Sequence, residues 1–421
     1  MCEASFIKTL KMPGSKSYTN RALVMAALTK GSVLLLNPLY SEDTHAMIDC
    51  LRAMGVGIEA RVDQIVVSGD LFSVEDRLHE LHVRDSGTTL RFLLAAICLA
   101  KGSKIIGGNR RLNERPIGDL VEALRSIGGC IDFLGSNDTA PLKITSQSLQ
   151  ANGCIVVNAT ISSQFLSALL IISPFLNGVE ICLDGHLISS PYVDMTIDMM
   201  KQWGVYVEKR ERRESVFESQ LAYFVAPGQH YRMNVYAIEG DFSSAGYFFA
   251  AAALTQAALR LQNLNPNSLQ ADRAFLRILE KMGNVVVFGS DEVAIMGRGI
   301  CASYLNMEHC PDQVQTMAVL AAFAPGKTVI SGVRSLRLKE TERVQALKNE
   351  LAKMGISTED THDTLTIYGG NPRAATIETY GDHRMAMAFA VAKKKIVDMD
   401  ICYPEVVAKT FPSFWDLFNS L

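Results

Sequence analysis

Apolar residues along this chain gather into runs too dense to be one face of a surface helix. "TNRALVMAALTKG", "TTLRFLLAAICLAKG", "SQFLSALLIISPFLNG", "SSAGYFFAAAALTQ", "VQTMAVLAAFAPGK" and "HRMAMAFAVAKKK" are apolar on nearly every side. Helices of that kind are buried all round. Each opens on a polar cluster, near Gly14, Gly87, Ser162, Gly240, Asp312 and Gly381, at intervals of 73, 75, 78, 72 and 69 residues. A second pattern lies between them: "LRAMGVGI", "LRSIGGCI", "MKQWGVYV", "LEKMGNVV" and "LAKMGIST". It predicts an amphipathic helix closed by a left-handed glycine (Gly55, Gly128, Gly204, Gly283, Gly355), with a strand beginning beside it. No sixth copy follows Gly381, where "AKKKIVDMDI" is polar. The chain therefore reads as six α/β units of roughly 75 residues. Six units exceed one ordinary core, so three plus three is the economical division. Buried helices with polar starts are reconciled if those ends meet at a shared cleft, where free N–H groups and positive dipole ends favour an anion.

Composition narrows the class. The 421 residues are 48% hydrophobic and 20% charged, with a net charge of −3. That is a globular composition, and it argues against a nucleic-acid partner. The nine cysteines form no C-x-x-C pair and read as free thiols of a reducing cytosol. "MCEASFIKTLK" lacks a signal-peptide apolar core, and the apolar runs are too short to span a bilayer. A cytoplasmic protein without a membrane partner is expected.

The candidate chemistry is cationic. "PGSKS" lacks the glycine that a nucleotide P-loop places five residues before its Gly-Lys pair. What remains is a helix start carrying Lys16, with Ser17 and Arg21 on one face. Arg115 precedes Pro116, which suits a first helical turn. Ser162, Ser163 and Gln164 lead an apolar helix, as caps or as donors to a ligand. Ser189 and Tyr192 read as loop residues. Lys339, Glu340 and Arg343 open a helix, with Lys339 and Arg343 on one face. Either an exposed charged face or an anion site fits them. Asp382, His383 and Arg384 open an apolar segment in which Arg384 has no structural reason to stand. Lys409 lies among aromatics. "HELH" at 79–82 is not a complete metal site.

Taken together, "PGSKSYTNRAL", "DSGTTLR", "ERPIGDLVEALR", "SSQFLSALL", "SPYVDMT", "EGDFSSAGYFFAAA", "KETERVQAL", "DHRMAMAFA" and "AKTFPSF" resemble the enolpyruvyl transferase family, in family order from residue 13 to 414. The resemblance implies a two-lobed inside-out α/β barrel of six βαβαββ repeats. One lobe would be residues 1–14 plus 240–421, the other 15–239, with the active site in the cleft between them. It implies attack of the 5-hydroxyl of shikimate 3-phosphate on phosphoenolpyruvate, followed by loss of phosphate, in a monomer with no metal or cofactor. By resemblance, Ser17, Arg21, Ser162, Ser163, Gln164, Ser189, Tyr192, Asp312 and Lys339 hold shikimate 3-phosphate. Lys16, Gly87, Arg115, Gln164, Arg343, Arg384 and Lys409 hold phosphoenolpyruvate. Asp312 is the base or orienting carboxylate. Glu340 is the proton donor, with Lys409 the competing assignment. Asp85 and Ser335 both replace the family's usual asparagine. Gly87 matches the position whose missing side chain admits glyphosate. Repulsion among the uncompensated cations implies an open form that closes on substrate. Two alternatives remain: the sister enzyme acting on UDP-N-acetylglucosamine, whose loop cysteine is missing from "GGNRRLNERPIG", and a non-catalytic ligand-binding relative.

Overall fold

The computed structural model describes residues 8–136, 138–145, 147–151, 153–213 and 219–421. Cys2 and most of "MCEASFIKTLK" lie outside the described residues. The chain divides into two compact units. The split unit is Met1–Ser15 with Glu239–Leu421, and the continuous unit is Lys16–Ile238.

The six apolar runs form the helices Lys16–Ala27, Gly87–Ile97 and Ser163–Ile172 in the continuous unit and Phe242–Thr255, Val314–Ala322 and His383–Lys393 in the split unit. Nearly every residue in them is buried. In the split unit the three pack pairwise on one another. In the continuous unit the Gly87–Ile97 helix touches both others. Each unit thus has helices at its centre, which is why these helices carry no polar face.

Four-stranded sheets flank them. In His79–His82, Lys104–Gly107, Leu142–Thr145 and Cys130–Phe133, one parallel pair is followed by two antiparallel ones. The other complete sheets repeat this order. The last repeat keeps only the parallel pair Thr376–Ile377 and Asp400–Ile401, where the second sequence pattern also fails. The chain closes each unit with a strand from far away in sequence. Lys8–Lys11 runs parallel to Ala258–Gln262, and Val235–Ala237 parallel to Ser32–Leu36. Gly14 bridges Gly240 where these paths cross over. A Cβ on Gly240 would lie 1.8 Å from the Asn263 carbonyl oxygen, so no other residue fits there. The five predicted cap glycines all adopt positive φ, between 79° and 97°.

Four local expectations are corrected. Cys154 and Cys182 are joined in a disulfide, because neighbouring parallel strands bring them together; the other described cysteines are free. Pro116 precedes its helix, which starts at Gly118 after Ile117. The helix expected from Lys339 starts at Arg343, because the Glu342 carboxylate caps it by accepting from the Gln345 N–H. Lys339 and Glu340 therefore lie on the lead-in, and Lys339 shares no helix face with Arg343. Tyr192 is not a loop residue but sits in the first turn of the helix Pro191–Gln202, with Pro191 fixing its start.

Candidate active site

In the continuous unit, polar groups gather at the N-terminal ends of the buried helices. Lys16 Nζ lies 3.1 Å from Asp43 Oδ2. The Thr89 hydroxyl donates to the Asp43 carbonyl at 3.1 Å, joining the first helix start to the second. Ser86 caps that second helix. Gly87 is its first residue, and a Cβ there would lie 2.4 Å from Arg91 Nη1 and 2.9 Å from Arg115 Nη1. Two guanidiniums thus converge on a bare backbone position. Arg91 Nη1 also donates to Gln164 Oε1 at 3.1 Å, and Gln164 Nε2 donates to Thr88 Oγ1 at 3.1 Å. Ser162 caps the third helix by accepting from the Gln164 N–H, and Ser163 is its buried first residue.

Arg21 is spread over three acceptors. It donates from Nε to Thr196 Oγ1 at 2.8 Å, from Nη1 to the Ser17 carbonyl at 3.0 Å and from Nη2 to the Tyr192 carbonyl at 3.2 Å. Its guanidinium sits 5.0 Å over the Phe92 ring. Burial lowers its pKa from 12.5 to about 10, so it stays charged at neutral pH. Ser189 holds a φ of 52° and accepts from the Tyr192 N–H, which orients the start of that helix. Asp85 accepts from Asn109 Nδ2 at 2.6 Å.

The split unit builds a second cluster on two buried arginines. Arg343, only 1% exposed, donates to Asp382 through Nε at 2.7 Å and Nη2 at 3.3 Å. Its Nη2 also reaches Glu340 at 2.8 Å, and Nη1 reaches Asp312 at 3.4 Å. These carboxylates raise the Arg343 pKa against the opposing effect of burial. Arg384 donates to Asp312 Oδ2 at 2.7 Å, to the Asp312 carbonyl at 3.1 Å and to the Tyr247 hydroxyl at 3.3 Å. The structural reason for Arg384 that the sequence lacked is therefore an ion pair to a residue 72 positions earlier. Lys409 ends the turn Pro404–Lys409 and is buried, Lys339 follows the turn Arg334–Leu338, and Ser335 lies within that turn.

The structure thus joins Lys16, Arg21, Gly87, Arg115 and Gln164 to partners in one unit, and Asp312, Glu340, Arg343 and Arg384 in the other. It adds residues to which the sequence alone gave no role: Arg91, Asp43 and Thr196 in the first cluster, and in the second Tyr247 and Asp382, which the sequence marked only as opening a helix. An arginine inside an otherwise apolar helix is the signal that could have found Arg91. Among the described residues one trio has metal-ligand spacing, Cys154, Glu180 and Cys182, but its two sulfurs are bonded to each other.

This architecture is known elsewhere. The family model for EPSP synthase (3-phosphoshikimate 1-carboxyvinyltransferase) matches residues 4–418. A 3-phosphoshikimate 1-carboxyvinyltransferase of Sulfurovum sp. is 38% identical over 419 residues, which cover 98% of this chain and 96% of that protein. One of Vibrio vulnificus is 39% identical over 421 residues, with the same coverage. An EPSP synthase structure from Acinetobacter baumannii superposes with a TM-score of 0.77 at 25% identity, covering 99% of this chain and 96% of the other.

Proposed function

The chain belongs to the EPSP synthase (3-phosphoshikimate 1-carboxyvinyltransferase) family, and from that membership we propose how its residues perform the family's reaction. The enzyme transfers the enolpyruvyl group of phosphoenolpyruvate to the 5-hydroxyl of shikimate 3-phosphate, a step in aromatic amino acid biosynthesis. The hydroxyl oxygen bonds to C2 while a proton adds to the methylene carbon. The tetrahedral adduct then loses that carbon's proton and inorganic phosphate.

The substrates bring two phosphates and two carboxylates, roughly −5 to −6 in charge. Lys16, Arg21, Arg115, Lys339, Arg343, Arg384 and Lys409 are the cations that answer them. Ser17, Arg21, Ser162, Ser163, Gln164, Ser189, Tyr192, Asp312 and Lys339 take shikimate 3-phosphate. Lys16, Gly87, Arg115, Gln164, Arg343, Arg384 and Lys409 take phosphoenolpyruvate, and Arg91, beside Gly87, joins this second set. Lys16, Arg21 and Arg115 lie in the continuous unit, and Lys339, Arg343, Arg384 and Lys409 in the split unit.

The observation that carries the reading is that Arg343 and Arg384 hold Asp312 and Glu340. Asp382 is fully buried and grips Arg343 as an anchor, whereas Asp312 and Glu340 are about a fifth exposed. An arriving carboxylate or phosphate competes for the two guanidiniums where solvent already reaches. Anion binding then releases Asp312, as a carboxylate, to take the 5-hydroxyl proton; Glu340, freed from Arg343, takes up a proton from solvent and passes it to the methylene carbon, with Lys409 as the competing donor. Among the described residues no helix is long and apolar enough to cross a membrane. We place the enzyme in the cytoplasm as a monomer, which light scattering on the purified chain tests. Phosphate release from phosphoenolpyruvate with shikimate 3-phosphate, compared with UDP-N-acetylglucosamine, tests the substrate. Turnover only with the latter overturns the assignment.

A further inference from the structure

Asp272 is 3% exposed, in the short turn Ala271–Arg273 packed against the Phe242–Thr255 helix. One of its carboxylate oxygens accepts from the Ser243 hydroxyl. The other is buried and has no hydrogen-bond partner among the described residues. Asp241, Ser243 and Tyr247 act on it from the helix and its cap, Cys310 and Asp312 from the segment around the turn Pro311–Gln313, and Arg384 from the third helix of the unit. An ionised carboxylate with an unsatisfied buried oxygen is costly, and two more carboxylates repel it. Burial first and Asp312 second raise its pKa to about 7, against the pull of Arg384 and Ser243. Its protonation is therefore set by the charges placed around it.

We propose that Asp272 is a positioning residue that couples a proton to phosphoenolpyruvate binding at Arg384. Neutral, it leaves that guanidinium to Asp312 and the substrate. Ionised, it draws on the same charge and weakens the substrate's hold. An anion bound at Arg384 makes the potential at Asp272 more negative, so the site takes up a proton from solvent as it fills. Affinity for phosphoenolpyruvate then falls as pH rises through 7. This rests on the reading of Arg384 as a phosphoenolpyruvate ligand.

The test is kcat/KM for phosphoenolpyruvate from pH 6 to 9 with shikimate 3-phosphate saturating. Ionisation of the substrate itself is common to all variants and cancels in their ratio. The Asp272→Asn to wild-type ratio should rise at least ~2.5-fold between pH 6.5 and 8.5, the linkage expected for a proton shift of half a pKa unit or more. Ser243→Ala, which removes the bond favouring the ionised form, should move the wild-type break to higher pH. A purely structural role would lower activity without moving either profile. Wild-type profiles in both variants overturn the inference. Arg384→Lys separates the two readings. If it raises KM while the other two variants keep the wild-type profile, only the role of Asp272 fails. If it leaves KM unchanged, the reading of Arg384 fails and the inference with it.

Discussion

Asp382 holds Arg343 from two directions, with Oδ2 2.7 Å from Nε and Oδ1 3.3 Å from Nη2, although 39 residues separate them. The same carboxylate caps its own helix by accepting from the Arg384 N–H at 2.9 Å. One buried side chain therefore holds Arg343 by its guanidinium and Arg384 by its backbone N–H. Replacing it with Ala leaves a buried guanidinium without its anchor. The expected loss is ~3–5 kcal/mol of stability by denaturant titration, with a raised KM for phosphoenolpyruvate. A loss below 1 kcal/mol would mean that Glu340 and Asp312 suffice to hold Arg343.

Gly87 makes a different kind of prediction. Its absent Cβ leaves room for Arg91 Nη1 and Arg115 Nη1, both far ends of flexible side chains. Gly87→Ala should displace them at little cost in stability, because no backbone has to move. Expected are an unchanged melting temperature, a higher KM for phosphoenolpyruvate and weaker competitive inhibition by glyphosate. If KM and inhibition both stay as in wild type, the guanidiniums near Gly87 do not meet the substrate.

Glu340→Gln keeps a side chain that can still accept from Arg343 but removes the acid. A fall in kcat of at least ~100-fold is expected, the usual scale of general acid catalysis, with KM for shikimate 3-phosphate little altered. A near-normal kcat in the phosphate-release assay would hand the proton to Lys409.

Arg21→Lys tests the shikimate 3-phosphate side. A lysine keeps the charge but cannot serve Thr196 and the Ser17 and Tyr192 carbonyls in one plane. KM for shikimate 3-phosphate should rise ~10-fold or more, equivalent to losing one charge-assisted hydrogen bond, while KM for phosphoenolpyruvate stays nearly constant. Equal changes in both would point to a general distortion of the helix start.

Lys104 supplies a pH prediction away from the site. It is fully buried, its ammonium donates to the Ala100 carbonyl, and burial lowers its pKa from 10.5 to about 8. Below pH 8 it is charged in both states, and folding pays the full desolvation penalty. Between pH 8 and 10.5 the unfolded chain binds more protons than the folded one, so this group's penalty shrinks as pH rises. Lys104→Met should therefore be more stable than wild type at pH 7, and the difference should narrow toward pH 10. A difference that is flat with pH would mean that Lys104 is not held below its ordinary pKa.

Much of the architecture is legible along the chain because it is local. Density of apolar residues decides which helices are buried, since a helix with no polar face has nothing to offer water. The cap glycines mark helix ends because only a residue without a Cβ enters the left-handed region freely. Cationic residues at the helix starts could be listed from their positions alone. Their partners could not. Asp382 with Arg343, Asp312 with Arg384 and Arg91 with Gln164 join segments far apart in sequence, and no local pattern encodes which charge meets which. The disulfide of Cys154 with Cys182 and the pairings of Lys8–Lys11 with Ala258–Gln262 and of Val235–Ala237 with Ser32–Leu36 have the same origin. Asp272 is the clearest case. In the sequence it is one acidic residue among 44. Only burial beside Asp312, with one oxygen left without a donor, gives it a proton to hold, because desolvation and like-charge proximity exist only once distant segments have packed.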